Sequence, residues 1–330
     1  MNALERISDW STRHRWIWSV LGVLILWALL SAVTGQLSFS SLSGVAISSS
    51  FLVLVALGQM AVVTTGGGNI DLSIASVMTL SAYVALIVIG GHDSRLLLGV
   101  AVTLGLGLLV GAINAALVLL ARIPAIIATL ATGYVLATAS LLANRAIPGF
   151  TIAPALRVIA TARIVGVPIM AIIAVVVVGL VSLVLNRTGY GRTLSAVGQN
   201  AVAARLAGVK TIRVAAGAFL ASSVFAAFTG LLLGAYVGGA FLEMGQPFLL
   251  QSLGAVVLGG TLIFGGSATA VGTLFGAVLL ILIVTTMQIA RLPPGTQDVV
   301  EGVVIIAVLA LAGGATLRRR ARPAATPTAN

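Results

Sequence analysis

Long apolar runs follow one another along this chain, and polar residues collect in the gaps between them. The runs are continuous rather than alternating at every second residue. That excludes a transmembrane barrel, whose strands alternate lumen and lipid faces. Helices remain, because every backbone group in lipid has to be bonded within the protein. A span needs about 20 apolar residues. Ten runs are candidates: 16–34, 45–65, 73–90, 96–121, 124–143, 166–185, 214–236, 249–265, 270–290 and 298–314. The third, eighth and tenth are short, so full or partial crossing stays open for them. The pattern predicts an all-α integral membrane protein of about ten transmembrane helices.

Composition agrees. Hydrophobic residues make up 59% and charged residues 8% of the chain, against about 25% charged in a soluble domain. The run from Trp16 to Val33 follows Arg6, Arg13 and Arg15 in the manner of a signal peptide, but no clear A-x-A site follows. It reads as a retained first helix. With the N-terminus inside and ten spans, the inner side holds Arg6, Arg13, Arg15, Arg122, Arg187, Arg192, Arg205, Lys210, Arg213, Arg318, Arg319, Arg320 and Arg322. The outer side holds only Arg95, Arg145, Arg157, Arg163 and Arg291. The bias obeys the positive-inside rule and places both termini in the cytoplasm. It also accounts for the net charge of +11 without nucleic acid, since these cations occupy loops and tails rather than one groove-shaped face. The expected organisation is a cytoplasmic segment 1–15, a transmembrane domain 16–314 and a basic tail 315–330, disordered beyond its arginines and able to meet anionic lipid. An outer loop from Asn144 to Val165, with Pro148, Gly149 and Pro154, has room for a short surface helix.

Some chemistry is missing. There is no cysteine, so thiol catalysis and thiolate metal sites are excluded. His14 and His92 lie far apart without partners at ligand spacing, so no metal or cofactor is expected. No charged residue lies near the middle of any secure span, which argues against an ion-coupled carrier. The only lysine, Lys210, follows Val209 rather than the glycine that a phosphate-binding loop requires. If ATP drives this protein, another polypeptide hydrolyses it.

Attention therefore falls on the inner segment 187–213, which carries five cations and no acid. Gly189 and Gly191 read as breaks after the preceding helix. Asn200 is suited to cap a two-turn helix over 201–207, and Gly208 to end it. So short a helix is marginal alone and gains from docking. It either docks on a partner or lies on lipid with Arg205 and Lys210 at head groups. Two glycine-rich interruptions, "TTGGGNIDLSIASV" and "GGTLIFGGSATAVGTLFGA", favour an internal, inverted repeat of the kind found in transporters. Close helix packing by small residues is the alternative.

The segment "GRTLSAVGQNAVAARLAGV" resembles the coupling-loop signature of permeases in bacterial ABC importers. "TTGGGNIDLSIASVMTLSA", "IPAIIATLAT" and "GGTLIFGGSATAVGTLFGAVLL" resemble three further segments of the ribose/xylose/arabinose-type sugar permeases, in order, over roughly residues 45–310. That group is related to branched-chain amino-acid permeases. Asn69 is an extra residue relative to the family pattern, and Ala75 stands where glycine is usual. The resemblance implies a monosaccharide permease in the bacterial inner membrane, working as a homodimer or heterodimer. Cytoplasmic ATPase subunits and a periplasmic or lipid-anchored binding protein would be its partners. Gly198, Gln199, Asn200, Ala203, Ala204, Arg205, Leu206 and Gly208 would form the coupling element.

Pathway candidates are Gln59, Asn69, Asp71 and Asn114. Asp71 either borders the pathway or caps the helix starting near Ser73. Gln59 and Asn114 bond sugar hydroxyls or another helix. Asn144, Arg145 and Arg157 are candidates for meeting a binding protein. The rival functions are a branched-chain amino-acid or nucleoside permease, an ion-coupled carrier, and a membrane scaffold without transport.

Overall fold

The computed structural model describes residues 16–34, 39–147 and 149–320. Segment 1–15, Pro148 and Arg322 lie outside the described residues. Each predicted apolar run contains a helix. The first five are α1 (Ile17–Thr34), α2 (Phe39–Thr64), α3 (Ile74–Ile89), α4 (Leu96–Ala115, closed by a π turn at Ala116–Leu120) and α5 (Ala125–Ala146). After a connection containing α6 (Pro154–Thr161), β1 (Arg163–Ile164) and β2 (Val167–Pro168) comes α7 (Ile169–Arg187). The chain then forms α8 (Gly189–Gln199), α9 (Ala201–Leu206), α10 (Thr211–Val237), α11 (Gln246–Leu258), α12 (Ala270–Ile289) and α13 (Pro294–Arg320).

Six of these helices are long and apolar enough to cross a bilayer: α2, α4, α5, α7, α10 and α12. The short candidates behave differently. α3 has 16 residues and α11 has 13, or about 24 and 20 Å at 1.5 Å per residue. Neither fills a hydrocarbon layer of about 30 Å. The eighth run, expected as 249–265, stops being helical at Leu258, because Gly259 and Gly260 open a turn. α13 runs to Arg320, past the domain boundary expected at residue 314.

The turns fall into two sets. At one end, the Gly266 amide donates to the Thr64 carbonyl at 3.0 Å, and Gly198 lies against both. At the other, the Ala155 amide donates to Asp93 Oδ1 at 2.9 Å. The Tyr83 hydroxyl donates to Asn144 Oδ1 at 2.8 Å, and the Phe150 ring lies 5.7 Å from that of Tyr83. α10 is the central element, packed against α2, α3 and α4. Gly58 of α2 and Gly107 and Gly111 of α4 meet its backbone, and its own Gly230 meets that of Met78. A side chain at any of these would separate the helices, which is how small residues drive association in lipid. α6 is the expected surface helix, started by Pro154 and seated by buried Leu156 and Ala160. The β1–β2 hairpin was not expected. Its turn has Val165 at φ 50° and Gly166 at φ 82°, the mirror-image turn that suits a two-residue hairpin.

Candidate functional site

In the segment between α7 and α10, α9 has the capping its sequence predicts. Asn200 Oδ1 accepts the amides of Val202 and Ala203, each at 3.0 Å. Gly208 sits at φ 84°. The Gly208 amide donates to the Arg205 carbonyl and the Val209 amide to the Ala204 carbonyl, both at 3.0 Å. This pair of bonds satisfies carbonyls that a helix end leaves open. The orientation corrects one expectation. Ala204 is buried against the protein's own core, beside Leu194, Ala115 and Phe219. Val202, Ala203 and Leu206 face outward, Leu206 being 86% exposed. Arg205 is exposed as well.

The flexible joint expected before α9 is absent. Thr188 caps a new helix, α8, by accepting the Gly191 amide. Gly191 lies in its first turn, so close to Leu185 that a Cβ would overlap the backbone there. Leu194 and Val197 bury α8 against Val62, Val214 and Phe219. The Tyr190 hydroxyl donates to the Val214 carbonyl at 3.2 Å, and burial pushes its phenol up to about 12. Tyr190, Leu194 and Val197 recur at helical spacing, a signal that could have revealed this helix.

The end of α8 reaches both glycine-rich interruptions. A Cβ on Gly198 would overlap the Thr64 carbonyl and the Gly266 amide. Gly66 sits against the Gly198 carbonyl and Gly265 against Gly66. The Gln199 side-chain amide donates to the Gly266 carbonyl at 3.3 Å. Gly66, Gly265 and Gly266 have φ of 74°, 88° and 82°, a conformation that costs glycine little. Main chain from three distant segments is thus in direct contact. A cavity of about 590 Å³ opens beside it, lined among others by Asn69, Arg122, Gln199, Asn200, Arg205 and Thr211. Among its lining residues there is no acid.

Of the pathway candidates, only Asn69 lines this cavity; its side chain donates to Thr65 Oγ1 at 2.9 Å. Gln59, Asp71 and Asn114 are buried together in a separate network. Asp71 Oδ1 accepts from the Ser73 amide at 3.0 Å and from its hydroxyl at 2.6 Å, and Oδ2 accepts from Ser222 Oγ of α10 at 2.8 Å. Gln59 Oε1 accepts the Asp71 amide at 3.3 Å, and Asn114 donates to Ser73 Oγ at 2.8 Å. Asp71 therefore bonds the amide just before α3, close to the capping expected of it, and also ties that entry to α10. Gln59 and Asn114 each make one tie to the segment that leads into α3. Gln59 Nε2, Asn114 Oδ1 and Ser223 Oγ are buried without a partner among the described residues.

At the opposite end of the helices, Asn144, Arg145 and Arg157 are exposed. Asn144 is held by Tyr83, and Arg157 is carried by α6. Among the described residues no cluster suited to a metal ion occurs.

Comparison with known proteins gives consistent results. The family described as branched-chain amino acid transport system / permease component matches residues 41–309. The autoinducer 2 import system permease protein LsrC of Enterobacter sp. (strain 638) is 34% identical over 91% of this chain and 87% of its own length. The probable ABC transporter permease protein y4mJ of Sinorhizobium fredii is 33% identical over 87% of this chain and 86% of its own. LsrC of Shigella flexneri is 32% identical over 91% and 87%. No solved structure matches.

Proposed function

The chain belongs to the family of branched-chain amino acid transport system permease components, and from that premise we propose that it is the membrane subunit of an ATP-driven importer for a sugar-like solute. It is a transport component rather than an enzyme, and a multi-pass protein of the inner membrane. ATP hydrolysis falls to a separate cytoplasmic subunit and cargo selection to a binding protein, as the family implies. The relatives' names include an autoinducer 2 import system permease, and the family's description names branched-chain amino acids.

The observation that carries this reading is the position of α9. It presents Val202, Ala203 and Leu206 outward, while α8 behind it ends on the two glycine-rich loops. An ATPase that grips α9 differently in its two states moves a rigid unit whose far end touches both loops. Differential contact of that kind is what conversion of hydrolysis into rocking requires. The meeting of these loops also supports two related halves. The exposed faces of α4, α5 and α7 supply area for lipid and for a second permease copy. Exposure of Asn144, Arg145 and Arg157 at the end opposite α9 supports docking of the binding protein there.

Reconstitution tests the proposal. Permease, ATPase and binding protein are placed in liposomes, and uptake of labelled monosaccharides is measured with ATP or with an imposed ion gradient. Uptake should require ATP and the binding protein. Uptake driven by the gradient alone would sink the proposal. Preference for leucine over sugars would move the cargo to the branched-chain amino acids of the family's description.

A further inference from the structure

The two short helices begin beside one another deep in the protein. The Gly245 amide, just before α11, donates to Thr79 Oγ1 of α3 at 3.1 Å, and Gly245 packs onto the Ala75 carbonyl. α11 therefore does not start at the outer surface. The connection from α10 descends to the first turns of α3 before the helix begins. At the start of α3, Thr129 of α5 accepts the Leu72 amide at 2.9 Å. The two short helices thus begin beside one another, and with α5 they border one cavity; solute sites between discontinuous helices are a recurrent transporter arrangement.

A cavity of about 220 Å³ lies there, lined by Leu72, Ala75, Ser76, Leu130, Gly133, Tyr134, Ala137, Gln246 and Leu249. Its depth follows from α5. Tyr134 is the tenth of 22 residues in that helix, about 14 Å along a rod of about 33 Å. That is close to the middle of α5, a helix long and apolar enough to cross a bilayer. Three polar side chains face the cavity: Ser76 of α3, Tyr134 of α5 and Gln246 of α11. Ser76 is 9% exposed, yet its hydroxyl has no hydrogen-bond partner among the described residues. The Tyr134 phenol and the Gln246 amide are also without one, and both residues are exposed. A phenol and an amide at mid-membrane with nothing to bond are costly against lipid. The cost disappears if this face meets water and solute instead. All three groups are neutral, and between them they supply hydroxyl, phenol and amide. No charged residue lines the cavity.

We infer that this recess is a mid-membrane binding site for a neutral, hydroxyl-rich solute of about monosaccharide size, held by Ser76, Tyr134 and Gln246. The volume fits. It is below the roughly 300–1,000 Å³ of pockets for drug-sized ligands. The site deepens the importer reading and rests on it for its cargo, but not for its location. It also differs from the candidates read from the sequence, since Gln59, Asp71 and Asn114 lie in a separate buried network.

The absence of cysteine from the chain makes a direct test available. Tyr134→Cys and Gln246→Cys are made singly in the assembled importer, with Val135→Cys as the control. Val135 is as exposed as Tyr134, at 69% each, but does not line the recess. A small, charged methanethiosulfonate reagent is applied with and without ATP, and D-ribose, D-xylose and L-arabinose are tried as protectants. The Tyr134 and Gln246 variants should label at least tenfold faster than the Val135 variant in one of the two conditions, and a transported sugar should slow them. Labelling no faster than the control in both conditions makes the face a lipid contact and overturns the site. Rapid labelling that no sugar slows leaves an aqueous recess and overturns the solute class. Labelling needs no transport, so a failure of ATP-driven uptake tells against the importer reading separately. Ser76→Val supplies the functional arm. It should raise the half-saturating sugar concentration for uptake severalfold, and an unchanged half-saturating concentration would overturn the role of Ser76.

Discussion

Gly198 has main chain on two sides, and the difference between a glycine and an alanine there can be measured. A methyl group would overlap the Thr64 carbonyl and the Gly266 amide, atoms that belong to other backbone segments and cannot swing aside. Overpacking of this kind costs about 1–3 kcal/mol. Gly198→Ala should lower the melting temperature of the purified permease and reduce uptake. Gly217→Ala is a control, since its methyl would meet the tip of Tyr190 at 3.1 Å, which can move. Equal melting of the two variants would show that the Gly198 contact is loose. Asp71 calls for a different comparison. Asp71→Ala strands the donors of Ser73 and Ser222, at about 1–3 kcal/mol for each group left unmatched. Adding Ser222→Ala to that variant should recover part of the loss, read as a rise in melting temperature.

The short helices between α7 and α10 show what a sequence reveals and what it hides. α9 was legible because its signals are local: Asn200 at the start, Gly208 at the end, and good helix formers between. α8 was missed because Gly189 and Gly191 look like breakers. Gly191 is in fact required by the closeness of Leu185, a contact invisible in the string. The orientation of α9 was equally hidden, since Ala204 and Leu206 are both plausible contact residues until a core is present to bury one of them. Two glutamates now separate the roles. Leu206→Glu should leave the permease folded and prevent the ATPase from co-purifying. Ala204→Glu puts a carboxylate at a 6% exposed position and should destabilise the permease itself. Retention of the ATPase by Leu206→Glu would sink the docking role of this face. Tyr190 adds a pH expectation. Its folded-state value of about 12 lies above the ordinary 10.0, so the neutral phenol is favoured. Its contribution is complete below about pH 10 and lost as the pH rises toward 12. A melting profile of the parent relative to Tyr190→Phe should be flat from about pH 6 to pH 9 and fall only above that window.

Across the whole molecule, the number of helical runs was readable from hydropathy, but their depth was not. Runs of similar apolarity become a 26-residue helix in α2 and a 13-residue helix in α11. What decides is where Gly245 meets Ala75 and where Gly259 turns, both set by packing far away in sequence. Sidedness can be tested on the whole fold. Val165→Cys, at a position 97% exposed, should react with an impermeant thiol reagent from the outside of intact cells. Leu206→Cys should react only in inverted vesicles. Reaction of both from one side would contradict the ten-run orientation. The contact between Gly198, Gly66 and Gly265 carries a consequence for the family's modularity. Because it consists of main-chain atoms, it asks only for glycine at 198, while Tyr190, Leu194, Val197 and Gln199 carry the side-chain fit of the segment. A chimera carrying residues 188–210 from a relative should couple to that relative's ATPase while keeping this chain's cargo, provided glycine stays at 198. Partner choice and cargo choice would then be separable by exchange of one short segment.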